Sequence, residues 1–288
     1  MCQLNKYQYI ARLESENGNV FWAGIEIPKA KELLKSKELP NEKDFFENAE
    51  ILPFNPLNRK AKQVITGTEE RNLREGKVRF LAPAKPEKIV AVGLNYIDHA
   101  RELNMEIPDE PVIFLKPPSA LNHHEGVIIY PEQSKQVDYE GELALVIAKE
   151  FKNATEYEIK QNFSRFVLGL TCFNDITARD LQRKDGQWTR AKSFDTFAPV
   201  GPWLYRAITP EEDFRIQTFL NGLLVQNSTT ENFIFKIAYL LSFVSRIMTL
   251  KPGDIISTGT PPGVGPLKRG DTVEVKISKI GILRNRVA

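Results

Sequence analysis

The chain of 288 residues is long enough for one large domain, or for one domain with a small module. Its composition of 42% hydrophobic and 26% charged residues is typical of a soluble globular protein. The net charge of +2, from 39 basic and 37 acidic residues without a long run of one sign, argues against nucleic-acid and membrane-surface partners.

Cysteine usage and the start of the chain bear on the compartment. The two cysteines are Cys2, near the start, and Cys172, in an apolar stretch, so we expect no disulfide framework and a reducing compartment. No secretory apolar region follows Met1, and no apolar run approaches the ~20 residues that span a bilayer. Glu14 and Glu16 are unusual in a mitochondrial transit peptide. The sequence therefore predicts a cytoplasmic protein and leaves a mitochondrial matrix location open.

The first eighty residues are weakly patterned after an initial hairpin. Residues 7–13 and 20–27 predict strands that flank a turn-forming Glu-Asn-Gly-Asn cluster at 16–19. The charged stretch 29–75 predicts short helices and loops. Prolines within 81–86 then mark a boundary.

Beyond this boundary the predicted elements are more regular. Apolar runs, turn signals and helical periodicity predict strands at 88–92, 112–116, 255–258 and 272–277, a short helix opened by a Thr155–Glu158 capping box, and a helix over 231–248. Because helices and strands do not alternate regularly, we expect an α+β fold dominated by mixed sheet rather than a Rossmann or barrel fold.

The stretch 138–147 contains two carboxylates two positions apart. We expect it to form one strand, in which Glu140 and Glu142 point to the same face, about 7 Å apart. Two like charges in a partly buried strand repel each other and lose hydration, and a divalent cation would offset both effects. An exposed edge strand with solvated glutamates explains the pair equally well.

A third carboxylate follows the apolar strand predicted at 166–173. Asp175 lies at a strand-to-helix corner, a common location for active-site groups, with a helix predicted from Ile176 onwards. Capping that helix is the more frequent use of Asp at such a corner. No Cys or His lies near these carboxylates, so a metal here would be hard and oxygen-preferring: Mg²⁺, with Mn²⁺ or Ca²⁺ as alternatives.

Taken together, five segments resemble the fumarylacetoacetate hydrolase superfamily in order and spacing. They lie at residues 93–102, 138–143, 174–182, 191–196 and 253–265. The resemblance implies an enzyme with a mixed β-sheet roll of that family's type over residues 85–286. It also implies that residues 1–80 form the small N-terminal α/β domain that many members carry.

The resemblance identifies Glu140, Glu142 and Asp175 as metal ligands. In this family Mg²⁺ usually chelates a 2-oxo acid through its carboxylate and keto oxygens. Lewis-acid stabilisation of enolate charge would serve decarboxylation, C–C hydrolysis and keto–enol isomerisation alike. The implied function is a Mg²⁺-dependent enzyme that acts on a small 2-oxo acid, either an acylpyruvate or an oxaloacetate-like dicarboxylate.

The resemblance also assigns catalytic residues around this centre. His99 and Glu102 are neighbours on a helical turn and would form a dyad. His99 would activate water or move a proton, and Glu102 would orient the imidazole. Lys192 would pair with the substrate carboxylate or the enolate oxygen. From spacing alone, a surface helical pair is the favoured interpretation of His99 and Glu102, and only the motif match reverses this; a solvated surface lysine is the alternative for Lys192.

Three further residues are expected to bind substrate. Arg179 and Gln182 follow the third carboxylate by one and two helical turns and could reach the same pocket. A salt bridge from Arg179 to Asp180 or Asp195 is an equal alternative. Thr260 would present its backbone or hydroxyl at the pocket mouth.

Several alternatives stay open within this framework. Leu94 stands where several acylpyruvate hydrolases have Arg, and segment 187–196 is more similar to the branch of 2-hydroxyhepta-2,4-dienedioate isomerases, 5-oxopent-3-ene-1,2,5-tricarboxylate decarboxylases and oxaloacetate decarboxylases or tautomerases. A 2-keto-3-deoxy sugar-acid dehydratase or hydratase would use the same enolate. A non-catalytic 2-oxo-acid-binding protein would need no His99–Glu102 base. Family members are commonly homodimers, so we expect one here, with apolar strands in 214–225 as the candidate interface.

Overall fold

The computed structural model describes residues 4–36, 39–58, 62–63, 66–207 and 209–288. Within these residues the strands form three sheets of eleven, five and three strands. Cys172 is buried and carries a free thiol, whereas Cys2 lies outside the described residues. No helix in the described chain is long and apolar enough to cross a membrane.

The strands account for most of the regular structure. In chain order they are β1 (Tyr7–Ser15), β2 (Val20–Glu26), β3 (Glu50–Ile51), β4 (Val78–Phe80), β5 (Ile89–Val92), β6 (Ile113–Lys116), β7 (Leu121–His123), β8 (Val127–Ile128), β9 (Val137–Tyr139), β10 (Gly141–Ile147), β11 (Val167–Asn174), β12 (Thr177–Ala178), β13 (Ala198–Tyr205), β14 (Arg215–Leu220), β15 (Leu223–Thr229), β16 (Ile255–Ser257), β17 (Gly265–Pro266), β18 (Thr272–Ile277) and β19 (Gly281–Val287).

The α-helices are short. In chain order they are α1 (Ile27–Ser36), α2 (Glu42–Asn48), α3 (Gly67–Arg74), α4 (Ile97–Glu102), α5 (Glu156–Gln161), α6 (Phe163–Phe166), α7 (Arg179–Asp185), α8 (Thr189–Lys192) and α9 (Ile237–Ile247), with single 3₁₀ turns at Leu4–Lys6, Pro118–Ala120 and Thr230–Asn232. The capping box predicted at Thr155 and Glu158 is present at the start of α5.

The large sheet runs in the order β3-β2-β1-β13-β11-β10-β16-β5-β6, with β4 added beside β1 and β7 beside β13. Most neighbours are antiparallel, but β16 pairs with β5, and β13 with β7, in parallel. The second sheet has the order β15-β14-β18-β19-β8, and the third β12-β9-β17. This mixed, sheet-dominated arrangement confirms the predicted α+β class.

The predicted N-terminal hairpin is present and belongs to the large sheet. Strands β1 and β2 pair antiparallel around the predicted turn, and β1 also pairs with β13 through Tyr9–Tyr205 and Ile10–Leu204. The sheet is therefore continuous across the proline-rich stretch at 81–86. The division of the chain into domains over 1–80 and 85–286 stays a prediction.

Strand β10 is buried on both faces. Leu143 and Leu145 belong to one apolar cluster, whereas Ala144 and Val146 belong to a second. Alternate residues of a strand point to opposite faces, so each cluster covers one face of the sheet. Replacing a leucine packed in this way by alanine would cost about 2–5 kcal/mol. The centre of the sheet is thus a rigid base for the carboxylate at the start of β10.

The segment 138–147 forms two strands rather than the single strand predicted. The chain leaves β9 at Tyr139 and enters β10 at Gly141, so Glu140 lies at the break between two sheets. The Glu140 N–H donates to the Asn174 side-chain oxygen at 3.0 Å, and its carbonyl accepts from Asp175 N at 2.8 Å. Because a side chain replaces one ladder partner, the strand can bend here without an unpaired buried amide.

Two predicted helices begin later than expected. After Asp175 the chain first forms the two-residue strand β12, and α7 starts only at Arg179. The helix predicted from residue 231 starts at Ile237. There the side chain of Asn95 accepts from Phe235 N at 2.8 Å, and its carbonyl accepts from Ile234 N at 2.8 Å. These bonds hold residues 234–235 against the neighbouring loop, so the helix begins only after them.

Candidate active site

A cavity of about 440 Å³ lies at the break between β9 and β10, bordered by α4, α7 and α8. Seven of the nine predicted site residues line this cavity: His99, Glu140, Glu142, Arg179, Gln182, Lys192 and Thr260. The other two, Glu102 and Asp175, contact residues on its wall. The roles of these residues stay predictions, but the fold brings all nine into one region.

The three predicted metal ligands form one buried cluster. Glu140 and Glu142 are 6% and 1% exposed, and Asp175 is fully buried. One oxygen of each carboxylate lies within 4.8 Å of the others. In the antiparallel β10–β11 pair, Gly141 lies opposite Asn174, so the start of β10 meets the residue that follows β11. The alternative of solvated glutamates on an exposed edge is therefore wrong.

Three cationic side chains surround these carboxylates. Lys192 donates to Glu140 at 2.8 Å and to Asp175 at 2.6 Å. Lys116 is paired with the other Asp175 oxygen and donates to a backbone carbonyl. Arg179 is paired with Glu140 and, at 2.9 Å, with Asp138. Opposite charges thus offset much of the cost of burying the cluster.

These contacts decide three alternatives left open by the sequence. Asp175 does not cap α7, because the residue before that helix is Ala178, which makes no side-chain capping bond. Lys192 is not a solvated lysine, since it is 2% exposed. Arg179 pairs with Asp138 and Glu140 rather than with an aspartate of α7 or of the loop after α8.

The glutamates differ in their electrostatic environment. Burial, together with the charges of Asp175 and Glu140, raises the pKa of Glu142 well above its ordinary value. Burial also opposes ionisation of Glu140, but Lys192 and Arg179 outweigh it and hold its pKa below the usual range. Glu142 is therefore the carboxylate of the cluster that forms no ion pair within the described residues.

The cluster fits a hard divalent cation. Its donor set is all oxygen, and separations up to 4.8 Å suit one ion, because bonds of about 2.1–2.4 Å place ligand oxygens roughly 3–5 Å apart. Ser257 and Gly259 N both donate to Glu142 Oε2. Glu142 Oε1 has no protein partner within the described residues and belongs to a side chain that lines the cavity.

The predicted dyad is formed, and its His99 lines the same cavity. His99 Nδ1 lies 2.8 Å from Glu102 Oε2. A carboxylate can only accept, so Nδ1 carries the proton and Nε2 has a free lone pair. Glu102 Oε1 also accepts from Gly263 N at 3.0 Å. This arrangement suits a base whose orientation and protonated form are both supported by a carboxylate.

The predicted substrate-binding residues differ in how firmly hydrogen bonds to the protein hold their side chains. Arg179 donates to Gln182 at 2.5 Å, which joins these two side chains at the cavity wall. The Thr260 hydroxyl donates to Gly141 O at 3.0 Å and accepts from Gln226 at 2.9 Å, so it is held by the scaffold. If Thr260 contacts the substrate at the pocket mouth as predicted, its backbone groups would therefore make that contact.

A family model described as fumarylacetoacetate (FAA) hydrolase C-terminal matches residues 88–288. The chain belongs to this family. The match spans more than two thirds of the chain and includes all nine predicted site residues. The resemblance carried by the five sequence segments is thereby confirmed.

Relatives and solved structures with assigned activities are enzymes. The chain is 42% identical over 221 residues to oxaloacetate tautomerase Fahd2a, mitochondrial, of Rattus norvegicus, covering 73% of this chain and 69% of that protein. The 2-hydroxyhepta-2,4-diene-1,7-dioate isomerase of Mycobacterium marinum gives a TM-score of 0.78 at 35% identity, covering 98% of both chains. Fumarylpyruvate hydrolase of Pseudomonas aeruginosa, solved with Mn²⁺ and pyruvate, gives 0.65 at 31% identity, covering 72% of this chain and 91% of that one.

The protein is thus an enzyme of the fumarylacetoacetate hydrolase family and has the mixed-sheet fold of its members. Two residues of its site were not predicted from the sequence. Lys116, fully buried beside Asp175, ends strand β6, and Asp138 holds Arg179 in place. A lysine that ends an apolar strand just before two prolines was the available signal for the first. Asp138, which directly precedes Tyr139, is the first residue of segment 138–143, one of the five segments that carry the family resemblance.

A second group of ligand-type side chains lies at Glu42, His124 and Glu125, with ligand atoms within 4.8 Å of one another. His124 Nδ1 accepts the backbone N–H of Arg284 at 3.1 Å, so the neutral ring carries its proton on Nε2. Nε2 then donates to Glu42 at 3.1 Å. Since a metal would need that nitrogen's lone pair, this group suits a hydrogen-bonded link between α2 and β19 rather than a metal site.

Proposed function

We propose that the protein catalyses keto–enol isomerisation of a small 2-oxo dicarboxylate such as oxaloacetate and depends on a divalent cation, with Mg²⁺ as the first candidate. The observation that carries this proposal is one cavity lined by both the oxygen-ligand cluster and His99. Isomerisation needs charge stabilisation on the keto oxygen and a proton carrier beside it, and the two sides of the cavity offer these separately.

Each residue has a role in this reaction. Glu140, Glu142 and Asp175 would hold the cation, which supplies positive charge that favours the enolate over the ketone. His99 Nε2 takes the proton from the carbon next to the keto group and returns it to the enolate oxygen. Glu102 stabilises the imidazolium between these two transfers. Proton count and charge therefore balance without water or a further reactant.

Arg183 supports a dicarboxylate substrate. It lines the cavity, and within the described residues its side chain donates only to the Gln136 side chain, at 3.3 Å. Lys192 and Arg179 are both committed to carboxylates, whereas Arg183 forms no ion pair within the described part of the chain. Arg183 is therefore the cavity cation available for a second substrate carboxylate. Arg183→Gln should raise KM for oxaloacetate by about tenfold, the effect of one charged contact, and leave KM for acetylpyruvate nearly unchanged.

C–C hydrolysis of an acylpyruvate is the second candidate. Leu94, Met105 and Trp188 also line the cavity, and the Trp188 ring packs edge-on against Phe114 at 5.1 Å between centroids. These apolar walls suit the acyl arm of a longer substrate. The similarity to fumarylpyruvate hydrolase supports the same candidate.

The test is a substrate panel with the metal-free protein and with added Mg²⁺, Mn²⁺ or Ca²⁺. Oxaloacetate, acetylpyruvate, fumarylpyruvate and a 2-keto-3-deoxy acid are compared by loss of enol absorbance, by decarboxylation and by product analysis. We expect the highest kcat/KM for enol–keto conversion of oxaloacetate, restored by metal after EDTA. Faster cleavage of an acylpyruvate would favour the second candidate, and metal-independent rates on every acid would contradict both.

Assembly as a homodimer stays a prediction. Strand β15 is the edge of the second sheet, and its Leu223 is 72% exposed and Leu224 49% exposed. These leucines support the predicted interface in the 214–225 region. Light scattering at micromolar concentration would distinguish a dimer from a 32.8 kDa monomer.

A further inference from the structure

We propose that Gln226 is a positioning residue that couples the predicted metal ligands to the His99–Glu102 dyad. It lies on β15 in the second sheet and is 1% exposed. It does not line the cavity. The catalytic part of this inference rests on the function proposed above, whereas its effect on metal binding does not.

All hydrogen-bonding groups of the Gln226 side chain face the site. Its Oε1 accepts from Gly141 N at 2.9 Å. Its Nε2 donates to Thr260 Oγ1 at 2.9 Å and to Pro261 O at 2.8 Å. Thr260 Oγ1 in turn donates to Gly141 O at 3.0 Å. Both backbone groups of Gly141 are therefore held, directly or through Thr260, by this one amide.

These bonds matter for metal binding because of the position of Gly141. Gly141 separates Glu140 from Glu142, and it lies where the chain passes from β9 into β10. A shift of its peptide would move both carboxylates relative to Asp175. Groups that orient metal ligands in this way typically change metal affinity by 10–100-fold when they are removed.

The loop 259–263 extends the same network to the dyad. Gly259 N donates to Glu142 Oε2 at 3.0 Å, and Gly263 N donates to Glu102 Oε1 at 3.0 Å. Of the three residues between these two contacts, Gln226 holds the first two, Thr260 and Pro261. Five consecutive residues thus connect a predicted metal ligand, Gln226 and the carboxylate of the dyad.

Close backbone packing fixes this loop against β15. A Cβ on Gly263 would lie 2.1 Å from Val225 O, and the residue has φ +94°. A Cβ on Gly141 would lie 2.1 Å from Thr218 Oγ1 on the neighbouring strand β14. Glycine is therefore required at position 263, and a side chain at position 141 would displace Thr218, so the β14–β15 hairpin packs closely against both loop and ligands.

Two Gln226 variants separate the bond to Gly141 from the bonds to the loop 259–263. Gln226→Glu keeps an acceptor for Gly141 N and, at a pH where the new carboxyl is ionised, cannot donate to Thr260 or Pro261, so under those conditions it releases the loop. Gln226→Met keeps the approximate volume and removes every bond. Asn227→Met is the matched control: Asn227 is the next residue of β15, is exposed, and accepts a side-chain bond only from Arg215.

The experiment measures Mn²⁺ affinity by electron paramagnetic resonance, and kcat and KM on the best panel substrate, well below the melting temperature. For Gln226→Met we expect 10–100-fold weaker Mn²⁺ binding and a kcat lowered by about 10². For Gln226→Glu we expect near-normal Mn²⁺ affinity and a kcat lowered about tenfold, since only the loop to Glu102 is released. Asn227→Met should match wild type in all three.

A Gln226→Glu variant with wild-type kcat and KM would overturn the coupling to the dyad, even where Gln226→Met does not fold. A folded Gln226→Met variant with wild-type Mn²⁺ affinity would overturn the effect on the ligands. If wild type binds Mn²⁺ but turns over no 2-oxo acid, the proposed function fails, while Mn²⁺ affinity still decides the effect on the ligands.

Discussion

The two sides of the cavity are built differently. Glu142 is the second residue of β10, a strand that pairs on both edges, with β11 and with β16, and that is buried on both faces. Glu102 ends α4, a six-residue helix, and its side chain is 42% exposed. Strand pairing thus fixes the carboxylate cluster, whereas the dyad is held through side chains.

A helix of six residues has little stability of its own. Asp98 supplies the attachment of α4: its Oδ2 accepts from Ser228 at 2.6 Å and from Asn232 at 3.2 Å, and its Oδ1 accepts from His99 N at 3.1 Å. The comparison implies that metal binding and proton transfer can be lost separately. Each prediction below attempts to break or sharpen that separation.

The largest effect is expected at the cluster. Glu142→Gln removes the carboxylate that has a free oxygen toward the cavity, so Mn²⁺ affinity and turnover should both collapse, the latter by on the order of 10⁴-fold or more. The dyad should remain intact, because Glu102 is held by Gly263 and not by Glu142. Titration calorimetry with Mn²⁺ and steady-state rates check this. A variant with wild-type metal affinity would show that the ligand assignment is wrong.

His99→Ala tests the dyad. Loss of the proton carrier should lower kcat for isomerisation by roughly 10²–10⁴. Affinity for oxalate, which binds metal without a proton transfer, should change far less. Glu102→Gln should also lower kcat, but by less than His99→Ala, because glutamine keeps the shape of the side chain and loses the charge that supports the imidazolium. Equal rates for wild type and His99→Ala on every substrate would make the dyad a structural pair.

Asp98→Ala asks whether the attachment of α4 matters while every metal-ligand and dyad side chain is kept; it also removes the acceptor for His99 N. We expect kcat to fall by about tenfold, since a displaced imidazole is poorly oriented, with Mn²⁺ affinity unchanged. Asp109→Ala, an exposed aspartate on the segment after α4, is the control and should behave as wild type. Loss of Mn²⁺ binding in Asp98→Ala would mean that the attachment of α4 also orients the metal ligands.

The same contrast explains what the sequence could predict. The types and spacing of Glu140, Glu142 and Asp175 left a metal cluster as one of two interpretations, and the family resemblance, carried by motifs at the ends of strands with strong apolar patterns, selected it. Their partners were not predictable: Lys116 is 59 residues from Asp175 and meets it only through the order of strands in the sheet. The break at Glu140 depends on a bond from the Asn174 side chain, which no local periodicity reports.

The smallest expected effect is the pH dependence of stability in the metal-free protein. The folded-state pKa of Glu142 is raised above its ordinary value of 4.5 by burial and by Asp175 and Glu140. Between these two pKa values the folded state binds more protons than the unfolded state, so the free energy of unfolding falls as pH rises. Glu140 has a lowered pKa, and its contribution changes only below its ordinary value.

In EDTA, the Tm of wild type should therefore fall between pH 5 and pH 8 by more than the Tm of Glu142→Gln, which cannot ionise at this position. Added Mn²⁺ should remove most of the difference, because the cation offsets the charge that destabilises the empty cluster. Thermal unfolding at four pH values, with and without metal, measures both effects. Identical pH profiles for the two proteins in EDTA would mean that Glu142 is ionised in the folded protein at no cost, and that the neighbouring lysines already supply the charge we assign to the metal.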